Sequence, residues 1–217
     1  WNFENYNDET NTLTFSYVSK ANEFYPGDVT IQVAYTLTSE NELNIKYKAT
    51  TTEDTLLNLT NHAYFNLDGI SGNTLDQKLQ INAEKFLELD DEKIPTGNFI
   101  PMENHAFDFR SSKNVVAGID HCFVLKNNTE PAAILESMKN GITMKVYTDQ
   151  PAVQIYVGGK TSDELQNKES VEYHTESGIC FETQVFPDAP NHEDFPNAIL
   201  RKGETYQQNT TFQFIIS

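Results

Sequence analysis

Arginine is almost missing from this chain: only Arg110 and Arg201 occur among its 217 residues. Arginine is the side chain that grips phosphate through two parallel hydrogen bonds, so phosphate-bearing ligands find little to hold them. The balance of charge points the same way, with 32 acidic residues against 15 basic ones and a formal net charge of -17. A surface of that sign repels nucleic-acid backbones and anionic headgroups, which excludes nucleic acid as a partner. Long hydrophobic runs are also lacking, and nothing approaches the ~20 apolar residues that a membrane-spanning helix needs. Cysteine is scarce. Cys122 and Cys180 stand far apart in sequence, too few for a disulfide framework, and a reducing compartment, the cytoplasm, is expected. The opening residues, Trp1-Asn2-Phe3-Glu4-Asn5, have neither the basic start nor the apolar centre of a secretory signal.

The usual cofactor signatures are missing too. No C-x-x-C or H-x-x-x-H spacing occurs, and His121 and Cys122, being adjacent, face opposite sides of any strand. Gly-rich dinucleotide and phosphate loops and the G-x-S-x-G elbow are likewise absent. The expectation is therefore no metal and no organic cofactor.

What the chain does have is a period of two. Val29, Ile31, Val33, Tyr35 and Leu37 alternate with polar or small residues, as do Leu43, Ile45, Tyr47 and Ala49. With Ser39-Glu40-Asn41 between them, this predicts a hairpin with one buried face. Met144, Val146 and Thr148, followed by Val153, Ile155 and Val157, predict a second hairpin bending at Gln150-Pro151. Phe212, Phe214 and Ile216 alternate again near the end. Helical periodicity is confined to Asn127–Lys139, where Pro131 and Asn140-Gly141 argue against it. Many short strands punctuated by Asn, Gly, Asp and Pro indicate an all-β protein, an antiparallel sandwich or barrel. Without linker, repeat or charge block, residues 1–217 read as a single domain. Asp90-Asp91-Glu92-Lys93 reads as a solvated turn.

Two stretches stand out chemically. In the first, Asn58 to Gly69, strand geometry would put His62, Tyr64 and Asn66 on one face and Asn61, Ala63, Phe65 and Leu67 on the other. A His, a Tyr and an Asn on one face suit a ligand that hydrogen-bonds, though a strand histidine equally serves as a structural hydrogen-bonder. In the second, Gly178 to Ala189, Cys180, Glu182 and Gln184 share a face opposite Ile179, Phe181 and Val185. Glu182 is either partly desolvated, hence more basic, or simply on a solvated sheet face. Gly118–Phe123 and Asp149–Tyr156 place further polar groups in short apolar segments. A glycosidase pair of carboxylates finds no two acidic residues singled out for it.

Taken in order, these segments resemble the aldose 1-epimerase (galactose mutarotase) family. Asn58–Gly69 is similar to its N-x-T-N-H-x-Y-F-N-L-x-G segment. Ile94-Pro95-Thr96-Gly97 with Phe107-Asp108-Phe109-Arg110 resembles its P-T-G … D-F-R stretch, and Gly118–Phe123 its G-x-D-H-x-F. Gln150–Tyr156 resembles Q-P-x-x-Q-x-Y, and Glu182–Asn191 resembles E-x-Q-x-x-P-D-A-x-N, followed by Phe195-Pro196 and Gly203-Glu204-x-Tyr206. The resemblance implies a large antiparallel β-sandwich, with His62 as catalytic acid and Glu182 as base. It also implies that Asp120 and Gln154 hold sugar hydroxyls. The ligand would be a small hexose such as galactose or glucose, and the chemistry opening and reclosure of its ring with inversion at the anomeric carbon.

The resemblance also carries a departure. Family members have an N-terminal segment with an N-x-R-like arginine and an N-H-x-H-G-G-like stretch, and neither is found here. An N-terminally incomplete fold is expected, with activity weak or absent in this chain alone. Exposed strand edges would favour self-association or pairing with a separate N-terminal polypeptide. The alternatives are a catalytically silent sugar-binding or scaffold protein, a hexose-6-phosphate epimerase disfavoured by the shortage of arginine, and a polysaccharide-active sandwich enzyme.

Overall fold

The computed structural model describes residues 1–21, 23, 25–69, 72–126, 129–158 and 175–216. Its early strands are β1 (Asn2–Asn7), β2 (Thr12–Ser19), β3 (Val29–Leu37), β4 (Glu42–Thr51), β5 (Thr55–Leu56) and β6 (Tyr64–Phe65). Next come β7 (Lys78–Ile81), β8 (Ala83–Leu89), β9 (Pro95–Pro101), β10 (Lys113–Asn114), β11 (Asp120–Leu125) and β12 (Ala133–Glu136). The last are β13 (Ile142–Thr148), β14 (Ala152–Val157), β15 (Ile179–Gln184), β16 (Ile199–Leu200) and β17 (Tyr206–Ile216). Among the described residues, the helical turns are two single 3₁₀ turns, Thr74–Asp76 and Ala189–Asn191.

A nine-stranded sheet runs β1-β2-β3-β4-β17-β13-β12-β7-β10, and a six-stranded sheet runs β6-β15-β14-β11-β8-β9. The β16–β5 pair forms a small third sheet. Every paired strand is antiparallel. The main core lies between the two large sheets. The larger contributes Val33, Ile45, Leu79, Ile81, Leu135, Met144, Val146 and Phe212; the smaller contributes Phe86, Phe123, Val153, Ile155, Val157, Ile179 and Phe181. Burying a phenylalanine or isoleucine side chain stabilises by ~1.5–3 kcal/mol, so this interleaved layer dominates the fold's energetics. The architecture is the expected all-β antiparallel sandwich.

The first predicted hairpin is present. Val29 pairs with Thr51 and Leu37 with Leu43, Val29, Ile31 and Val33 point into the core, and Asn41 turns the chain with φ 58°. The second is not a hairpin. β13 pairs with β12 and β17 in the larger sheet, whereas β14 pairs with β11 and β15 in the smaller one. The bend at Gln150-Pro151 carries the chain from one layer of the sandwich to the other, so both strands bury a face without touching each other's backbone. The stretch with faint helical periodicity is extended: Ala133–Glu136 is β12, paired on both sides, while 127 and 128 lie outside the described residues. Two flanking strands satisfy the hydrogen bonds of this Ala-Ile-Leu-Glu run, and that tertiary context overrides its local helix preference.

Candidate active site

Alternation along the six-stranded sheet separates core from site. On β15, Ile179 and Phe181 enter the core while Cys180, Glu182 and Gln184 face the other way. β14 does the same, with Val153 and Ile155 inward and Gln154 and Tyr156 outward. Register aligns the outward groups: Gln154 sits opposite Glu182, and Asp120 on β11 sits opposite Tyr156. The outward face is the floor of an open cleft of about 670 Å³, lined by His62, Tyr64, Lys93, Asp120, Gln154, Tyr156, Glu182, Gln184 and their neighbours. All four site residues expected from the sequence, His62, Glu182, Asp120 and Gln154, meet in this one cleft.

His62 reaches it from an irregular approach rather than from a strand. Only Tyr64 and Phe65 are paired, to Cys180 and Ile179, while the residues before them run as unpaired chain. Side chains anchor that run: Asn58 binds the backbone of Val185 in both directions, and Thr60 Oγ1 donates to Thr183 O at 3.1 Å. Asn66, expected to share the face of His62 and Tyr64, is not in the cleft. Its amide donates to Gly72 O and Ser177 O and its oxygen accepts from Gln77, fastening neighbouring loops.

Within the cleft, His62 Nε2 lies 3.4 Å from Glu182 Oε1. The two environments differ: the Glu182 side chain is 12% exposed, that of His62 52%. Burial pushes the Glu182 carboxyl above the usual carboxylate range; His62 opposes that rise and Asp120 adds to it. Glu182 is thus the desolvated, more basic carboxylate of the two readings open from sequence. Behind the imidazole, Cys180 Sγ is 3.4 Å from His62 Nδ1. Cys180 is fully buried, which raises its thiol well above the ordinary value, so the sulfur keeps its proton and backs the imidazole as an uncharged hydrogen-bond partner. The rings of His62, Tyr64 and Tyr156 form a wall with centroids 5.3–6.2 Å apart.

Farther along the floor, Asp120 is held on both oxygens. Gln154 Nε2 donates to Oδ1 at 2.9 Å and Lys93 Nζ to Oδ2 at 2.8 Å. Burial alone would raise Asp120, but these two hydrogen bonds outweigh it and hold the carboxyl below its usual range. His121 points away from the cleft among Phe86 and Phe107, its Nδ1 accepting from the Asp120 N–H. Arg110 is not a cleft residue; Asp108 grips it by two 2.8 Å hydrogen bonds.

Lys93 is the residue the sequence reading passed over. The turn it was assigned to is real: Lys93 N donates to Asp90 O, and Ile94 and Glu92 donate to Asp90 Oδ1. Lys93 sits there at φ 65°, a left-handed conformation that costs a non-glycine residue ~1–2 kcal/mol. The neighbouring P-T-G turn is pinned by His192, whose Nε2 lies 3.1 Å from both Pro95 O and Asp188 Oδ2. Gly97, at φ 89°, leaves no room for a Cβ, which would stand 2.8 Å from His192 Nδ1. Nothing in the run of charges around Lys93 pointed to Asp120; the only signal was its place just before Pro95-Thr96-Gly97. Among the described residues no group of His, Cys, Asp and Glu is arranged to hold a metal ion.

Fold and cleft together define an antiparallel β-sandwich with an imidazole–carboxylate pair set in a polar, aromatic-walled groove. Comparison with known proteins gives this class its family. The aldose 1-epimerase family model matches residues 1–213. The chain is 40% identical over 220 residues to galactose mutarotase of Mus musculus, covering 96% of this chain and 64% of that protein. It is 33% identical over 232 residues to aldose 1-epimerase of Escherichia coli (strain K12), covering 99% of this chain and 66% of that one. Among solved structures, the GalM/aldose epimerase homologue from C. elegans superposes with a TM-score of 0.89 at 31% identity, covering all of this chain and 68% of the other. Galactose 1-epimerase from Lactobacillus acidophilus NCFM gives 0.87 at 27% identity, covering all of this chain and 67% of that one. The chain belongs to the aldose 1-epimerase family, and it spans just under two thirds of the length of the mammalian relatives it matches.

Proposed function

We propose that the cleft interconverts the α and β anomers of a hexose such as galactose or glucose, with His62 as acid and Glu182 as base. The observation that carries this reading is the 3.4 Å separation of His62 Nε2 and Glu182 Oε1 on one wall. Ring opening of a cyclic hemiacetal removes a proton from the anomeric hydroxyl and adds one to the ring oxygen. Those two oxygens share one carbon, so a donor and an acceptor set side by side serve both. Glu182 takes the hydroxyl proton as the C1–O1 double bond forms, the C1–O5 bond breaks, and O5 receives the proton from His62. Rotation about C1–C2 presents the other carbonyl face, and the pair, now with roles exchanged, recloses the ring. Each positioned acid or base typically contributes ~10²–10⁴-fold. Asp120 and Gln154 then hold hydroxyls, and the Tyr64–Tyr156 wall takes the apolar face of the sugar.

The decisive experiment is polarimetry of fresh α-glucose and α-galactose with the wild type, His62→Asn and Glu182→Gln. Acceleration by the wild type that either substitution abolishes supports the proposal. A wild-type rate no faster than buffer refutes catalysis by this chain and leaves the silent sugar-binding reading, which an NMR titration with the same sugars examines. A 6-phosphate substrate is disfavoured, because the cleft sets two carboxylates, Asp120 and Glu182, against the one lysine that lines it.

Residues 1–217 are proposed to be one domain, since a single core cluster draws on both large sheets. The cytoplasm is the proposed compartment, supported by two buried free thiols, Cys122 and Cys180. Among the described residues no helix is long and apolar enough to cross a membrane. Association with a second copy or with a separate N-terminal polypeptide is supported by β1, an edge strand that exposes Phe3 at 62% and Tyr6 at 50%, with Trp1 beside it at 62%. A mass in light scattering that stays monomeric at every concentration, with no uptake of an N-terminal fragment, rejects it.

A further inference from the structure

We infer that Lys93 and Asp120 work as one hydroxyl-reading pair that decides which sugars the cleft accepts, an inference that rests on the cleft being the sugar site proposed above. Three observations lead to it. Lys93 Nζ lies 2.8 Å from Asp120 Oδ2 and lines the same cleft as the acid–base pair. Gln154 occupies Oδ1, so an incoming hydroxyl reaches the carboxylate at Oδ2, beside the ammonium of Lys93 that already binds there. Lys93 also holds an unfavourable left-handed backbone, φ 65°, at a turn position that glycine or asparagine fills without strain. The turn is closed by Asp90 and does not need a lysine side chain.

The chemistry of the pair selects its ligand. A second anion entering here meets Asp120 and Glu182, and a cation meets Lys93. A hydroxyl suits both, donating to Asp120 Oδ2 while accepting from the ammonium, and each bond is charge-assisted. An analogue without that hydroxyl leaves the ion pair closed and gains nothing from it. Lys93 is therefore a specificity-determining residue for a neutral sugar that keeps one particular hydroxyl free.

The test crosses Lys93→Met with galactose and its 2-, 3-, 4- and 6-deoxy analogues. Dissociation constants come from NMR titration and kcat and KM from polarimetry. The substitution is expected to weaken galactose binding roughly tenfold, to raise KM by a similar factor and to leave kcat within about twofold. For the one analogue lacking the hydroxyl that the pair reads, wild type and Lys93→Met are expected to bind equally. Lys93→Arg, which keeps the charge, should recover part of the loss for galactose. Equal weakening on every sugar overturns the inference, as does no weakening on any, or no binding of any of the five. If sugars bind but none is turned over, the mutarotase reading fails, while the binding cycle still decides for or against the pair.

Discussion

Glu182→Gln keeps the shape of a nearly enclosed side chain and removes its charge. In the protein that carboxyl is 12% exposed, and burial outweighs the attraction of the His62 ring, itself 52% exposed, so its pKa is raised. A carboxylate with a raised folded-state pKa destabilises the fold once it is ionised. The penalty is absent below the unfolded-state value near ~4.3, builds as pH rises toward the raised folded-state value, and is complete above it. Glutamine has no such term. Relief of a buried charge of this kind is on the order of 1 kcal/mol, near the free energy of a tenfold change in an ionisation equilibrium. For a chain of this size each kcal/mol moves the melting temperature by roughly 2–4 °C. The variant is expected to melt a few degrees above wild type at pH 8, with the gap closing toward pH 4, while its polarimetric rate falls ~10²–10⁴-fold. Circular-dichroism melts across that pH range, run beside the polarimetry, make the check. A variant that melts at or below wild type at pH 8, or a gap that does not widen with pH, refutes the claim that Glu182 is held in a desolvated, unfavourable state.

The same raised carboxyl predicts that kcat/KM falls on the acid side as pH drops through a value above the ordinary glutamate range, and an acid limb at or below that range contradicts it. Cys180→Ala removes the hydrogen bond behind His62, worth about 1 kcal/mol. It should therefore lower kcat roughly fivefold with KM unchanged; Cys180→Ser should restore most of the loss, and equal loss in both would assign the effect to packing. Gly97→Ala forces a Cβ against the His192 ring at a left-handed φ, and a loss of ~1–3 kcal/mol in urea unfolding is expected.

Strands were legible in this sequence wherever one face meets the core and the other does not. Val29–Leu37 and Leu43–Ala49 announced both their conformation and their mutual pairing, because a short turn brings each back beside the other, whereas their second partners, β2 and β17, left no such local sign. Alternation says nothing of partnership once the connection changes layers, which is why Met144–Thr148 and Val153–Val157 read as a hairpin and are not one. The face of Glu182 followed from strand parity alone, but parity left open whether that face is solvated, and only the folded cleft shows the carboxyl buried. Lys93 was hidden for a different reason. Its significance is a single contact with a residue 27 positions away, and no local pattern encodes a meeting made only when a turn folds over the start of β11.

Strand β17 separates β4 from β13, so the nine-stranded sheet consists of two halves that share no hydrogen bond until that strand is inserted. The ribosome makes both halves first and the bridging residues, Tyr206–Ile216, long afterwards. Throughout that interval β4 and β13 present open edges able to recruit any passing strand. Nascent chains are thus most vulnerable to aggregation until Tyr206–Ile216 have left the exit tunnel, and a stop codon placed ahead of Tyr206 yields two sticky half-sheets instead of a joined one.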